Sequence, residues 1–222
     1  MIALDDIPGD EAARYMGVRG EPDEQLLSLI EKGREMVLKA VRPQYVCREF
    51  NIVEKEEGIV LAGTPLVLPG QEIRKHLSGC SKAVLMAVTL SGEADKLIRQ
   101  TAITDMALSL AIDSLCSAAV EKACDKAEEE IFSMIEAPYR TWRFSPGYGD
   151  LPLELQSDLA ALLNAQRRIG LTVTSSSLLI PSKSVTAIIG VSDKPLGEKK
   201  KGCAVCSMRE SCAYRRTGIR CR

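Results

Sequence analysis

Aromatic residues are scarce in this sequence: three Phe, five Tyr and one Trp among 222 residues. A core must therefore be filled by Leu, Ile, Val, Ala and Met. With 45% hydrophobic and 27% charged residues, the chain has the material for one large domain, or one domain with a small appendage. Histidine is scarcer still. His76 is the single one, and in Arg74-Lys75-His76-Leu77-Ser78-Gly79 it reads as a surface helix residue rather than a ligand. A net charge of -1 leaves no broad basic face, which argues against nucleic acid as a partner. There is no apolar run of about 18 residues, so no membrane-spanning helix is expected. The start, Met1-Ile2-Ala3-Leu4-Asp5-Asp6, lacks the basic-then-apolar order of a signal peptide. A cytoplasmic location follows as the expectation. Cysteines stay reduced there, so the eight present do not read as a disulfide framework.

Hydrophobic periodicity organises the rest. Residues 1–43 form a helical N-terminal part: a short turn over Glu11–Met16, then a helix over Glu24–Val41 closed by Pro43. Tyr45–Leu68 changes to short strands, with a turn at Glu56-Glu57-Gly58. One short helix is expected at Gln71–Leu77, and the apolar run Lys82–Leu90 is the best candidate for a buried strand. Residues 92–137 form the longest helical region, with a stripe at Leu108, Ile112, Leu115, Ala119, Ala123, Ala127, Ile131 and Met134, ended by Pro138. An irregular stretch follows from Tyr139 to Pro152. Then come a helix over Leu153–Arg168, stopped by Gly170, and strands at Leu171–Val173 and Val185–Val191. The class is α+β: a mixed or antiparallel twisted sheet with flanking helices, one of them long. Residues 1–191 make one domain, 192–202 a linker and 203–222 a small cysteine-rich C-terminal tail.

The segment Arg143-Phe144-Ser145-Pro146-Gly147-Tyr148-Gly149 carries the most chemistry. Arg143 offers five donors in a fixed fork, suited to a carboxylate. Pro146 stiffens a turn, and Gly147 lets main chain approach a ligand with no Cβ in the way. Tyr148 adds a flat face and a hydroxyl. Together they suit a nucleoside that bears an amino acid. The plain alternative is a surface Pro-Gly turn after a helix.

The string Arg-x-x-Pro-Gly-Tyr resembles the S-adenosylmethionine motif in the activation domain of cobalamin-dependent methionine synthase. Gly170-Leu171-Thr172-Val173-Thr174-Ser175 and Pro181-Ser182-Lys183-Ser184-Val185 agree with that family's later elements in order and spacing. The resemblance is good over residues 80–191 and weak over the first 79. It implies that Arg143 pairs with the ligand carboxylate, Ser145 and Gly147 offer backbone groups, and Tyr148 packs beside the ligand. The family's long helix carries an acidic ligand contact. Ser117 stands at that position here, with Glu121 one turn later, and Asp23 is the candidate for an early Asp. The resemblance also implies a role: docking on a corrinoid protein whose cob(II)alamin is reduced by an electron donor and methylated by S-adenosylmethionine. No cobalamin-binding Asp-x-His-x-x-Gly is present, so the cobalamin would sit on a partner, a cobalamin-binding methionine synthase or other corrinoid protein. The chain is not expected to make methionine alone.

The tail holds Cys203-x2-Cys206-x5-Cys212-x8-Cys221 and is locally basic. Four thiolates within 19 residues could close a zinc site or hold an iron–sulfur cluster. Incidental thiols on a flexible tail are the alternative. Two other function classes stay open on this basis: an iron–sulfur electron carrier or corrinoid-protein reductase, and a zinc-stabilised interaction protein. Of the remaining cysteines, Cys116 and Cys124 are expected to pack on the long helix, Cys47 to sit in a strand, and Cys80 to be a buried structural thiol.

Overall fold

The computed structural model describes residues 2–18, 20–135, 138–197 and 210. Cys203, Cys206, Cys212 and Cys221 lie outside the described residues. The fold is α+β. Its elements run α1 (Gly9–Tyr15), α2 (Glu24–Ala40), β1 (Gln44–Lys55), β2 (Gly58–Leu61), β3 (Val67–Leu68), α3 (Gln71–Leu77), β4 (Lys82–Thr89), α4 (Gly92–Thr104), α5 (Met106–Met134), β5 (Tyr139–Arg140), α6 (Leu155–Leu162), α7 (Ala165–Ile169), β6 (Thr172–Val173), β7 (Leu179–Ile180) and β8 (Ser184–Ser192). Six strands form one sheet in the order β3-β2-β1-β4-β8-β5, and β6 and β7 form a separate hairpin. The described registers are all antiparallel, for example Ile52 opposite Leu61 and Tyr139 opposite Ser192.

The chain divides into two compact units, and the division falls within strands β1, β4 and β8. The first unit holds residues 1–48, 86–136 and 156–186. Its centre is α5, 29 residues long, against which α1, α2 and α4 pack. The stripe foreseen on this helix is buried from Leu108 to Ile131, while Met134 at its end is 68% exposed. Asp23 starts α2 by accepting the Leu26 amide at 2.8 Å, an ordinary helix cap. Among the described residues the second unit holds 49–85, 138–155 and 187–197, and contains most of β1 with β2 and β3, α3 and the segment that follows α5. Phe50 and Phe144 are the only aromatics among the described buried hydrophobic residues, so aliphatic side chains do fill the interior.

Three expectations need correcting. The helical region over 92–137 is two helices, not one. It breaks at Asp105, whose backbone is extended (φ -150°, ψ 94°) and whose carboxylate accepts the Leu108 amide at 2.9 Å to start α5. The helix expected over Leu153–Arg168 is also two, separated by Asn164 in the left-handed conformation (φ 51°). And His76 is not a surface residue: it is only 3% exposed.

Candidate functional site

The segment Arg143–Asp150 lies in the second unit, and its shape follows from its own residues. The Tyr148 amide donates to the Ser145 carbonyl at 3.0 Å, which closes a four-residue turn with Pro146 at its second position and Gly147 at its third. Gly147 has φ +88°, the positive angle that a type II turn requires there. A second turn follows at once: the Leu151 amide donates to the Tyr148 carbonyl at 3.0 Å across Gly149, φ +56°. The Gly147 amide then reaches the Leu151 carbonyl at 2.9 Å and ties the two turns together. Pro146 is buried, while Gly147, Tyr148 and Gly149 are exposed and Arg143 and Ser145 are half-buried. Tyr148 keeps 56% of its surface open to solvent.

The loop is anchored from below by aromatic and polar contacts. Phe144 exchanges two main-chain hydrogen bonds with Ile188 of β8, at 3.0 and 2.8 Å. Its ring lies 4.9 Å from His76 and 5.8 Å from Tyr148, and Trp142 meets the other side of His76 edge-on at 4.8 Å. Thr141 Oγ1 is 2.7 Å from His76 Nε2 and accepts the Gly190 amide at 2.7 Å. In a chain with few aromatics, Tyr139, Trp142, Phe144 and Tyr148 fall within ten residues. Trp142, Phe144 and Tyr148 make a small ring cluster with His76, where offset and edge-on contacts are favourable. Asp150 completes the anchoring. Its two carboxylate oxygens accept the Gln71 and Glu72 amides at 2.6 and 3.0 Å. These bonds, that from Gln71 first, hold the Asp150 carboxyl below the usual carboxylate range.

The structure thus gathers Arg143, Ser145, Gly147 and Tyr148 on one loop, and places Glu121 in the first unit. Glu121 is half-buried on α5, where its charge adds to burial in raising the Tyr15 phenol. Ser117, the residue at the family's acidic position, accepts a hydrogen bond from Lys183 Nζ at 2.9 Å and donates to the Asp113 carbonyl at 3.1 Å. Lys183 also pairs with the Asp113 carboxylate at 2.9 Å. The Pro181–Ser184 element is therefore pinned within its own unit, and the Ser182 amide adds a bond to Asp95 at 2.9 Å. His76 and Asp150 are the residues that sequence reasoning missed. Both act over more than 60 residues of chain, and no local pattern carries that signal.

Cys116 and Cys124 are fully buried on α5, and burial pushes the Cys116 thiol up to about 12. Cys47 lies on β1. Cys80 is half-buried in the turn before β4, not inside the strand. Among the described residues there is no cluster of His, Cys, Asp and Glu fit for a metal ion. Nor is any helix among them long and apolar enough to cross a membrane.

Residues 94–195 match the model of a protein family described as vitamin B12 dependent methionine synthase, activation domain. The match spans a little under half of the 222 residues and marks a similarity to that activation-domain family. It takes in nearly all of α4, α5, the Arg143–Asp150 loop and the strands through β8, and leaves the first 93 residues unmatched. Among solved structures, the crystal structure of the MetH reactivation domain bound to AdoHcy is similar at a TM-score of 0.58 with 16% identity, covering 93% of this chain and 79% of that one. At that identity the likeness establishes a shared fold. No curated protein matches the chain.

Proposed function

We propose that this chain binds S-adenosylmethionine at the Arg143–Tyr148 loop and acts as the reactivation module of a cobalamin-dependent methionine synthase, supporting reductive methylation of cob(II)alamin on a partner protein. The observation that carries the reading is the double turn at Ser145–Leu151, which keeps Gly147 and Tyr148 exposed on the same short loop as a guanidinium. The donor set fits a sulfonium amino acid. Arg143 matches a carboxylate. The Gly147 amide is used inside the loop, so what this glycine offers a ligand is a carbonyl and a face without a side chain. Tyr148 gives an open ring for an adenine to lie against. The activation-domain family match over the loop and the fold shared with a domain crystallised with AdoHcy both support this reading.

S-Adenosylmethionine would supply the methyl group. The residues of this chain would bind and orient it, and no acid or base of the chain is needed. The cobalamin would belong to a methionine synthase or other corrinoid protein in the cytoplasm, with the electron coming from a separate donor. Calorimetric titration with S-adenosylmethionine tests the first step. Arg143→Ala is expected to weaken binding by roughly 2–4 kcal/mol, the cost of losing a charged hydrogen-bonded partner, while the protein still folds. Unchanged affinity would remove Arg143 from the site.

A second reading rests on the spacing of Cys203, Cys206, Cys212 and Cys221: an iron–sulfur cluster or zinc in the tail, serving electron transfer to, or docking on, a corrinoid protein. Anaerobic purification with a visible spectrum and metal analysis tests it. A colourless protein with stoichiometric zinc would eliminate the redox version.

A further inference from the structure

We propose that Asp150 is a positioning residue for the ligand loop, clasping the loop's second turn to the first two amides of α3 so that Arg143 and Tyr148 are held ready for the ligand. The inference rests on the reading of the loop given above.

Helix α3 has a glycine, Gly70, where a capping side chain would normally stand, and no side chain of its own neighbourhood caps it. Its leading amides would be left without partners. Asp150 supplies them from 79 and 78 residues further along the chain, one oxygen to Gln71 and the other to Glu72. The junction is close on both sides. A Cβ on Gly70 would lie 2.6 Å from Asp150 Oδ1, and a Cβ on Gly149 would lie 2.9 Å from Glu72 Cγ. Such an approach leaves no room for slack between the turn and the helix. The other end of α3 holds the other end of the loop, through His76 against Thr141, Trp142 and Phe144. In sequence, Arg143 falls within the first fastening, at 141–144, and Ser145, Gly147 and Tyr148 lie between it and the second, at 150.

A two-turn loop alone samples many conformations, and a ligand must pay for ordering it. Fastening both ends to one short helix removes much of that cost before binding. Each of its oxygens is engaged by an α3 amide, and a carboxylate is the wrong charge for the anionic end of an amino acid, so the role argued for Asp150 is to position the loop and not to grip the ligand carboxylate.

The test uses the full chain with Asp150→Asn, which keeps the shape but replaces one acceptor oxygen with an amide that cannot accept. Trp142 is the only tryptophan, so acrylamide quenching of its emission reports the loop without any ligand. The variant is expected to melt cooperatively, to show greater quenching than the native protein, and to bind S-adenosylmethionine about tenfold more weakly. Saturating ligand is expected to abolish the quenching difference, an effect that a purely structural role would not produce. Gly70→Ala presses on Asp150 from the helix side of the same junction, outside the ligand loop, and is expected to give the same signature with the carboxylate intact. It decides the matter if Asp150→Asn does not fold. Native quenching, or greater quenching with native affinity, overturns the proposal. If the native chain itself does not bind S-adenosylmethionine, the functional reading fails, and the clasp stands or falls on the quenching comparison alone.

Discussion

Tyr148 stands between two glycines with positive φ and owes its exposure to them, because each closes a turn that a side chain would resist. Proline, glycine and aspartate at 146–150 are the residues that such turns call for, so this part of the site was legible directly. The role of Asp150 was not, although its charge has a measurable consequence. Its carboxyl is held below the ordinary value of 3.8 by the Gln71 and Glu72 amides. A depressed carboxyl contributes stability that is complete above the unfolded value and is lost as pH falls through the folded one. The amide resonances of Gln71 and Glu72 are therefore expected to stay constant down to about pH 4 and to shift together only below it. A shift complete well above pH 4 would show that the carboxylate is not held there. His76 gives the complementary lesson. On a seven-residue helix, Ile73, His76 and Leu77 share the buried face, but two turns are too few for periodicity to separate one face from the other.

At the scale of elements, helix α3 and strand β4 lie within a residue of their expected limits, because caps, breakers and hydrophobic period agree locally there. The two merged helices show where that reasoning stops. Neither Asp105 nor Asn164 is a proline or glycine, so neither announces a break. Asp105 nevertheless leaves the helical conformation and uses its carboxylate to start α5, while Ser109 Oγ turns back to the Ile98 carbonyl of α4 at 2.9 Å. Packing α4 and α5 against each other outweighs the gain from one continuous helix. Asp105→Ala removes the cap and is expected to cost about 0.5–2 kcal/mol in urea denaturation, with the helical circular dichroism signal nearly unchanged. A stability equal to the native protein's would mean that packing alone sets the break. The β6–β7 hairpin was half seen: a strand was expected at Leu171–Val173 and is found at Thr172–Val173, whereas Leu179–Ile180 is too short a run to stand out.

Over the whole molecule, the first unit is organised around the small-residue face of α5, where Ala111, Ala119, Ala123 and Ala127 are fully buried along with Leu115 and Ile112. Small side chains let the neighbouring helices approach closely, and the few large ones fill what is left. Leu115→Ala is therefore expected to destabilise the protein by about 2–5 kcal/mol, read as a lower urea midpoint. A loss well below 1 kcal/mol would show that the surrounding helices collapse into the space. The activation-domain match over residues 94–195 spans parts of both units.

The sequence by itself determined helices α2 and α3, the best strand, the aliphatic core and the Pro146-Gly147 turn, because each depends on residues within a few positions of one another. The tertiary structure alone decided that a lone histidine is buried against the 141–144 segment and that an aspartate within the loop caps a helix 79 residues earlier. Those contacts join distant parts of the chain, and only folding brings their atoms within hydrogen-bonding range.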